Sequence, residues 1–327
     1  MRYLRPLLQV GLVRPADARP FGWGWYTHVE ILSRRAAPQV VAANDLGAEV
    51  LARFSAGRDA PELMGILNVT PDSFSDDGRH DDVAAATAHG QRLVAAGATI
   101  LDVGGESTRP GAVPVPAEEE IARTAPVITA LRAAGLTAPI SIDTRKASVA
   151  AAALAAGATM VNDVSGFTHD PDLVDVCARY QVPVCVMHAQ GDPQTMQRNP
   201  TYDDVLLDVY DFLHSRIEAL LDAGVARSGI VADPGIGFGK TLDHNLALLN
   251  RISLFHGLGV PILLGASRKR FIGTLGNAPE AQNRASGSIG VALAALTQGV
   301  QILRVHDVAE HAQAIALWRA SVANARP

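Results

Sequence analysis

The feature that most constrains the fold of this chain is a regular alternation of short apolar runs with longer Ala- and Leu-rich helical patterns. Each apolar run is four or five residues long and ends in or beside a polar residue. Short runs bounded in this way are typical of buried strands. The alternation predicts eight strands, at residues 64–68, 100–103, 140–143, 160–163, 184–188, 230–233, 262–265 and 302–305.

Helical patterns fill the intervals between these predicted strands. They predict helices at residues 83–96, 118–134, 147–156, 203–223, 242–252 and 284–298. Eight strands that alternate with helices over about 260 residues have the size and order of a (β/α)8 TIM barrel, which is an α/β fold. An open doubly wound sheet is the alternative. Such a sheet usually has fewer strands and often carries a Gly-rich fingerprint after its first strand, which this chain lacks.

The first 60 residues do not follow the alternation. Residues 27–32 predict a short strand and residues 45–54 a short helix, and residues 21–26 contain two of the chain's three tryptophans. We expect residues 1–60 to form an N-terminal extension that packs on a barrel domain at residues 61–327. A separate partner-binding module is the alternative, and no motif in the segment supports it.

Composition and charge exclude several classes of protein. The formal net charge of -5 gives the chain no overall basic character, so nucleic acid is not an expected partner. No apolar run approaches the roughly 18 residues of a membrane-spanning helix, and the N-terminus has no clear signal-peptide pattern. We therefore expect a cytoplasmic protein without a membrane partner. Cys177 and Cys185 are expected to be reduced thiols rather than a disulfide or a metal site.

Polar residues lie at the carboxyl ends of the predicted strands, where TIM barrels carry their active sites. They are Asn68, Asp102, Asp143, Asn162, His188, Asp233, Ser267, Arg268, Lys269, Arg304 and His306. A single residue of this set is equally compatible with an ordinary structural hydrogen bond. Several carboxylates and amides that converge on one rim, however, require a ligand or a bound cation to satisfy them. The set therefore predicts a binding site.

The middle strands contribute carboxylates and an amide to this rim, from Asp102, Asp143, Asn162 and Asp233. An ionised carboxylate accepts two parallel hydrogen bonds from an N–H group and a neighbouring amino group. The amide–amine edge of a guanine-like or pterin-like ring presents that pair of donors. The middle strands therefore predict a site for such a ring.

The last two strands contribute Lys269, Arg304 and His306, which are cationic or become cationic on protonation. TIM barrels often bind phosphate at this position, so these residues predict a pyrophosphate site. Asn68 offers a neutral oxygen, which suits Mg²⁺ beside phosphates. The Gly-rich segment at residues 233–240 does not have the spacing of a nucleotide P-loop. Its glycines instead allow close approach of the backbone to a ligand, or positive φ.

Seven motifs of this chain resemble, in the same order, the signature motifs of dihydropteroate synthases, a pterin-binding family. They lie at residues 68–76, 102–111, 141–146, 162–164, 233–240, 267–273 and 304–307. The resemblance extends from about residue 63 to the C-terminal helix, and the ordered set is far more specific than any single motif. Members of the family join p-aminobenzoate to 6-hydroxymethyl-7,8-dihydropterin pyrophosphate in folate biosynthesis and release pyrophosphate. We also expect a homodimer.

The resemblance implies a role for each matching residue. The pterin would be held by Asp102, Asp143, Asn162, Asp233 and Lys269. Pyrophosphate would be held by Asn68, Arg109, Arg304 and His306, and Asn68 would also ligate Mg²⁺. The p-aminobenzoate would be bordered by Thr108, Arg109, Pro110 and Ser267. The catalytic residues would be Asp102, Lys269 and Arg304.

The family's reaction is SN1-like: pyrophosphate leaves first, and the arylamine then traps a pterin-methylene cation. The carboxylate of Asp102 would stabilise that cation, while Arg304, His306 and Mg²⁺ would stabilise the departing anion. The chain departs from the family pattern in its long extension, in Asp77 where Gly is common, and in Arg270 where some members have Ser. None of these departures removes a residue with an implied role.

Two other functions share part of this pattern. A pterin-binding methyltransferase of the methyltetrahydrofolate type would use the same middle-strand residues, but it has no use for pyrophosphate. The cationic residues at 267–269 and 304–306 argue against it. A non-catalytic pterin-binding paralogue would show a broken motif, and all seven motifs are intact.

Overall fold

The computed structural model describes residues 2–54, 56–70, 79–109 and 111–323. The described chain begins with the short strands β1 (Tyr3–Pro6), β2 (Arg19–Phe21), β3 (Gly24–Tyr26), β4 (His28–Leu32) and β5 (Gln39–Ala42). β1, β4 and β5 form an antiparallel sheet, and β2 and β3 form a separate hairpin. The short helix α1 (Ala48–Ala52) lies within the helix predicted at residues 45–54.

In the described part of the chain, eight parallel strands then form one sheet. They are β6 (Glu62–Asn68), β7 (Ile100–Gly104), β8 (Ile140–Asp143), β9 (Met160–Asp163), β10 (Val184–Met187), β11 (Ile230–Asp233), β12 (Leu263–Leu264) and β13 (Ile302–Val305). Their order in the sheet is β11-β10-β9-β8-β7-β6-β13-β12. Ala232 of β11 forms a parallel bridge with Ile262, which directly precedes β12. This bridge closes the sheet into a barrel, and the predicted TIM-barrel fold is confirmed.

Helices surround the barrel. They are α2 (Arg79–Ala95), α3 (Ala117–Ala133), α4 (Ala147–Ala155), α5 (Asp172–Tyr180), α6 (Val205–Asp222), α7 (Leu242–Asn250), α8 (Arg270–Leu275), α9 (Ala285–Thr297) and α10 (Val308–Ala323). All six predicted helices are present, with ends shifted by up to four residues. Over the described ranges, no helix combines the length and the apolar character that crossing a membrane requires.

Strand β12 is shorter than the strand predicted at residues 262–265. Ile262 donates its backbone N–H to Oε1 of Gln301 at 2.8 Å. This donor is therefore not available to the ladder of a neighbouring strand. Helix α7 likewise ends before residue 252, because a 3₁₀ helix at Ile252–Leu258 begins there.

Two β/α units of the barrel use the same connection between a helix and the next strand. Residues 95–99 and 155–159 both read Ala-Ala-Gly-Ala-Thr. The hydroxyl of Thr99 accepts from the backbone N–H of Leu63 at 3.1 Å, and that of Thr159 accepts from Ile140 at 3.2 Å. In both units the threonine ties the start of its own strand to the start of the neighbouring strand.

Apolar side chains fill the lower half of the barrel interior. One buried cluster takes a residue from seven of the eight strands: Met64, Ile100, Met160, Cys185, Val231, Leu263 and Ile302. Side chains two residues apart on a strand point the same way. The residues two positions after four members of this cluster are Asp102, Asn162, Asp233 and Arg304. The strand period therefore places a polar layer above an apolar layer.

Some of the N-terminal residues contact the barrel at the amino ends of its strands. The indole Nε1 of Trp23 donates to the backbone oxygen of Leu296 at 3.0 Å, near the end of α9. The Trp23 ring also packs edge-on against Trp318 of α10, with 6.4 Å between ring centres. Gln301, which directly precedes β13, donates to the backbone oxygen of Ala56 at 3.2 Å. These contacts lie at the end of the barrel opposite to its polar layer.

Candidate active site

A buried ionic cluster occupies the upper half of the barrel. Arg304 donates from Nε to Oδ2 of Asp102 at 2.6 Å and from Nη2 to Oδ2 of Asp143 at 2.8 Å. Asn162 donates from Nδ2 to the same Oδ2 of Asp102 at 3.1 Å. Asp102 is fully buried, and Asp143 and Asn162 are nearly so. These four residues, here called the carboxylate cluster, bring together side chains from β7, β8, β9 and β13.

The carboxylate cluster has unused hydrogen-bond acceptors. Oδ1 of Asp102 and Oδ1 of Asp143 are buried, and neither has a hydrogen-bond partner among the described residues. A buried polar atom without a partner costs about 1–3 kcal/mol. Burial raises the pKa of Asp143, the charge of Arg304 opposes that rise, and the nearby Asp102 adds to it. The arrangement is therefore completed by a ligand that donates hydrogen bonds.

A second carboxylate position lies on the opposite side of the barrel, at Asp233. Its Oδ1 accepts from the backbone N–H of Gly235 at 2.7 Å. Lys269, which follows β12, donates to the backbone oxygen of Ile236, and its Nζ lies 4.3 Å from the centre of the Phe238 ring. Burial lowers the pKa of Lys269 to about 8, and the carboxylate of Asp233 opposes that shift. Asp233 and Lys269 therefore form an acceptor and a donor that face the same interior.

The loop after β11 depends on a glycine for its approach to β10. Gly235 has φ +68°, and a Cβ placed on it would overlap the carbonyl oxygen of His188. A residue with a side chain is strained at this φ and has no space there. The loop therefore lies directly on the end of β10, which fixes the position of the Asp233 carboxylate below it.

Sequence reasoning did not identify a buried pair, Lys240 and His188, beside this loop. Nζ of Lys240 lies 2.8 Å from Nδ1 of His188 and donates to the backbone oxygen of Phe238 at 3.1 Å. Burial lowers the pKa of both side chains, that of His188 to about 2. The imidazole is therefore neutral, and its Nδ1 accepts a hydrogen bond from Lys240. The sequence did offer one indication of a functional lysine: Lys240 directly follows three alternating glycines, in a segment that does not have the spacing of a P-loop.

Ser267 and His306 join the ends of β12 and β13. Oγ of Ser267 accepts from the backbone N–H of His306 at 3.2 Å and lies 3.0 Å from its Nδ1. The hydroxyl proton is thus free to point at Nδ1, which leaves the ring proton on Nε2. Burial and the charge of Arg304 lower the pKa of His306 to about 3. His306 is therefore a neutral donor, which differs from the cationic role that its sequence position suggested.

Asn68, Thr108 and Arg109, which are also predicted as site residues, lie at the end of β6 and after β7 at this rim. A Cβ placed on Gly104 would lie 3.8 Å from Oδ1 of Asn68 and 3.7 Å from Oδ2 of Asp143, so these two oxygens flank the same glycine. Thr108 is half-buried and Arg109 is exposed on the loop after β7. The charge of Arg109 contributes to the low pKa of His306, which places the two residues near each other. Pro110 and Asp77 lie outside the described residues.

This rim offers few protein ligands for a metal ion. Within residues 2–54, 56–70, 79–109 and 111–323, no group of three or more His, Cys, Asp or Glu side chains is arranged to hold one. Mg²⁺ usually keeps several waters and takes only one or two protein oxygens together with substrate phosphates. A single amide oxygen from Asn68 therefore fits a magnesium ion that arrives with a phosphate substrate, and it does not fit a site built from protein ligands alone.

Comparisons with known proteins identify the family. A family model described as "Pterin binding enzyme" matches residues 64–306. The dihydropteroate synthase of Escherichia coli (strain K12) is 45% identical over 262 residues, which cover 80% of this chain and 92% of that protein. The chain belongs to the dihydropteroate synthase family. The resemblance expected from the seven motifs is thereby confirmed.

Solved structures of dihydropteroate synthases share the fold. One from Xanthomonas albilineans with 4-aminobenzoic acid has a TM-score of 0.76 and 48% identity, and covers 82% of this chain and 95% of that one. Another from the same organism, in complex with 7,8-dihydropteroate, has a TM-score of 0.73 and 45% identity over the same shares. The residue roles implied by the family motifs remain predictions for this dihydropteroate synthase family member.

Proposed function

We propose that this chain is a transferase that makes 7,8-dihydropteroate from 6-hydroxymethyl-7,8-dihydropterin pyrophosphate and p-aminobenzoate. The observation that carries the proposal is the pair of open acceptors on Asp102 and Asp143, held beside the cation of Arg304. Such acceptors suit a ring edge with N–H and amino donors, and the adjacent cation suits an anionic leaving group. The relatives of this chain are named dihydropteroate synthase.

The pterin site takes its polar groups from both sides of the barrel. Asp143, Asn162 and Asp233 accept or donate around the ring, and all three are buried on strands rather than on mobile loops. Lys269 adds a donor above Phe238. A rigid site of this kind holds the reacting methylene in one place relative to Asp102, which lowers the entropic part of the barrier.

The reaction breaks the bond between the pterin methylene carbon and the pyrophosphate oxygen, and the electron pair leaves with pyrophosphate. The buried carboxylate of Asp102 stabilises the positive charge that develops on the pterin. Arg304 and the Nε2–H of His306 face the negative charge of the leaving group. The arylamine nitrogen then forms the new C–N bond and loses a proton to solvent, so no side chain acts as a nucleophile.

Mg²⁺ is part of this proposal, with Asn68 as its protein ligand. The ion supplies charge neutralisation for the departing pyrophosphate. Arg109, exposed on the loop after β7, is assigned to the same anion. The amide oxygen of Asn68 and the carboxylate of Asp143 flank Gly104. The residue assigned to Mg²⁺ therefore lies beside a residue assigned to the pterin.

The p-aminobenzoate site is assigned to Thr108, Arg109, Pro110 and Ser267. Ser267 is buried in the loop after β12, and Thr108 is half-buried in the loop after β7. A related structure is named as containing 4-aminobenzoic acid, which supports this substrate class. A homodimer, a cytoplasmic location and the division into residues 1–60 and 61–327 are further predictions.

The proposal is tested by incubating the purified chain with both substrates and Mg²⁺ and detecting 7,8-dihydropteroate by mass spectrometry. We expect product only when both substrates are present. In Asp233→Ala the ring edge loses a paired acceptor, so pterin affinity measured by calorimetry should fall at least about tenfold. A wild-type chain that binds the pterin without forming product would instead support the non-catalytic paralogue.

A further inference from the structure

A single buried glutamate closes the base of the loop that carries Thr108 and Arg109. Oε1 of Glu106 accepts the backbone N–H of Val115 at 3.1 Å. Glu106 and Val115 stand at the two ends of the segment at residues 107–114. The side chain of Glu106 is 3% exposed. The two ends of this loop are therefore joined through one carboxylate rather than through a backbone turn.

Two cations from the loop after β8 hold that carboxylate in place. Nζ of Lys146 lies 2.9 Å from Oε2 of Glu106 and 2.5 Å from Oε2 of Glu120. Nη2 of Arg145 lies 3.3 Å from Oε1 of Glu106. Burial alone would raise the pKa of Glu106, but the hydrogen bonds from Lys146 and Val115 overcome it and hold the pKa below its usual value. The carboxylate is thus ionised and shared between two barrel loops.

The residue before Glu106 lets this arrangement pack tightly on helix α3. A Cβ placed on Gly105 would lie 2.8 Å from Cγ2 of Thr124 and 3.1 Å from Cγ of Glu120. Arg123 of the same helix donates to the backbone oxygen of Gly105 at 2.8 Å. The start of the loop is therefore docked on a helix, and Glu106 transfers that fixed position to the end of the loop at Val115.

The far part of the loop has a second attachment. Gly111 donates its backbone N–H to the backbone oxygen of Pro193, in the loop after β10, at 3.0 Å. Between these two attachments, the backbone oxygen of Arg109 accepts from the N–H of Ala112 at 3.0 Å. The side chains of Thr108 and Arg109 make none of the hydrogen bonds or ion pairs found among the described residues. Their placement at the rim therefore depends on how the base and the far part of the loop are held.

We propose that Glu106 is a positioning residue for p-aminobenzoate: by joining Val115 to Lys146 and Arg145, it holds the loop at residues 107–114 against the active-site rim. This inference rests on the proposed function, since it assigns the loop to that substrate. Glu106 contacts no substrate itself. The groups assigned to the pterin ring lie on the strands themselves, apart from Lys269, which follows β12. The loop therefore affects p-aminobenzoate and, through Arg109, the pyrophosphate, but not the ring.

The main test uses Glu106→Gln, which keeps the length of the side chain and removes its charge. The KM for p-aminobenzoate should rise about tenfold or more, because a small misplacement of positioning residues is costly. The affinity for 6-hydroxymethyl-7,8-dihydropterin, which lacks the pyrophosphate, is measured by calorimetry. It should change less than about twofold, because the groups assigned to the ring do not lie on the loop. Hydrogen exchange of the amides at residues 107–115 should become faster in the variant.

A matched control is available at the other end of the barrel. Glu30 is a nearly buried glutamate with two cationic partners, Arg5 at 2.8 Å and Arg251 at 3.6 Å. Glu30→Gln should lower stability in a similar way and leave both the KM for p-aminobenzoate and the affinity for the pyrophosphate-free dihydropterin unchanged. If Glu106→Gln does not fold, Val115→Pro removes only the backbone donor. Pro116 already restricts Val115 to extended backbone, a region that includes the φ of proline.

Equal weakening of p-aminobenzoate and of the pyrophosphate-free dihydropterin, or an unchanged KM for p-aminobenzoate with a folded Glu106→Gln, would overturn the inference. The exchange measurement separates this failure from a failure of the proposed function. If the wild-type chain shows no turnover, faster exchange confined to residues 107–115 in Glu106→Gln still supports the loop anchor. Unchanged exchange in that segment overturns the anchor irrespective of the reaction.

Discussion

Nε of Arg304 lies 2.6 Å from Oδ2 of Asp102, and the two residues sit on β13 and β7, the strands that flank β6. The same guanidinium reaches Asp143 on β8. A fully buried carboxylate is stable as an anion only when it is paired and hydrogen-bonded. Arg304 is therefore a structural counterion of the barrel interior as well as a candidate for binding the leaving group.

Removal of this counterion should destabilise the protein. In Arg304→Met two buried carboxylates lose their cation, and breaking such a pair costs about 3–5 kcal/mol. The free energy of unfolding is measured by urea titration. Arg34→Met is the control, since Arg34 pairs with Asp208 and Asp211 at an exposed surface, where ion pairs contribute about 0–1 kcal/mol. Similar small losses in both variants would show that Asp102 and Asp143 do not depend on Arg304.

Pterin use should decrease in alkaline solution. The pKa of Lys269 is lowered to about 8, chiefly by burial, so its ammonium form is lost as the pH rises through that value. The pH dependence of kcat/KM for the pterin pyrophosphate reports groups of the free enzyme. This kcat/KM should fall about tenfold per pH unit above the pKa of Lys269. In Lys269→Arg the charge persists, and the alkaline decrease should vanish; an identical decrease in that variant would assign it to another group.

The loop after β11 should not tolerate a side chain at Gly235. A Cβ there would overlap the carbonyl oxygen of His188, and φ is +68°. Gly235→Ala should shift Asp233 and reduce kcat/KM about 100-fold or more. Gly290→Ala is the control, because this helical glycine has open space around its Cα, and it should be neutral or stabilising by about 0.5–1 kcal/mol. A fully active Gly235→Ala protein would contradict the described loop geometry.

The N-terminal residues should contribute to stability and not to chemistry. Trp23 is buried and donates to Leu296 of α9, at the amino end of the barrel. Trp23→Ala should cost about 3–5 kcal/mol of unfolding free energy, with kcat unchanged in the folded fraction. A smaller cost is expected for Trp25→Ala, since the half-buried Trp25 donates only within the extension, to Gly11 at 3.3 Å. A normally folded Trp23→Ala protein without turnover would place the extension in the active site.

Much of the barrel could be predicted because each strand is short, apolar and ends in a polar residue. The strands at Ile140–Asp143, Met160–Asp163, Ile230–Asp233 and Ile302–Val305 have the predicted bounds. The later start of β12 could not be predicted, since the backbone N–H of Ile262 donates to the side chain of Gln301, 39 residues away. The local sequence pattern predicts where apolar residues repeat along a strand. It does not predict contacts that form only when the barrel closes.

The same limit applies to the candidate site. The rim residues could be predicted from their position after the strands, but their mutual pairing could not. The contacts of Arg304 with Asp102 and Asp143 join residues more than 160 positions apart. The neutrality of His306 follows from burial and nearby cations, and Lys240 joins His188 only after two loops fold together. Each of these features is a property of the closed barrel.

The measurement that tests the central claim most directly is the stoichiometry of pyrophosphate release. The purified chain is given 6-hydroxymethyl-7,8-dihydropterin pyrophosphate and Mg²⁺, with and without p-aminobenzoate, and pyrophosphate and 7,8-dihydropteroate are quantified together. We predict sustained release only with p-aminobenzoate, with one pyrophosphate for each dihydropteroate. No dihydropteroate under any of these conditions, or methyl transfer from methyltetrahydrofolate in its place, would contradict the proposed function.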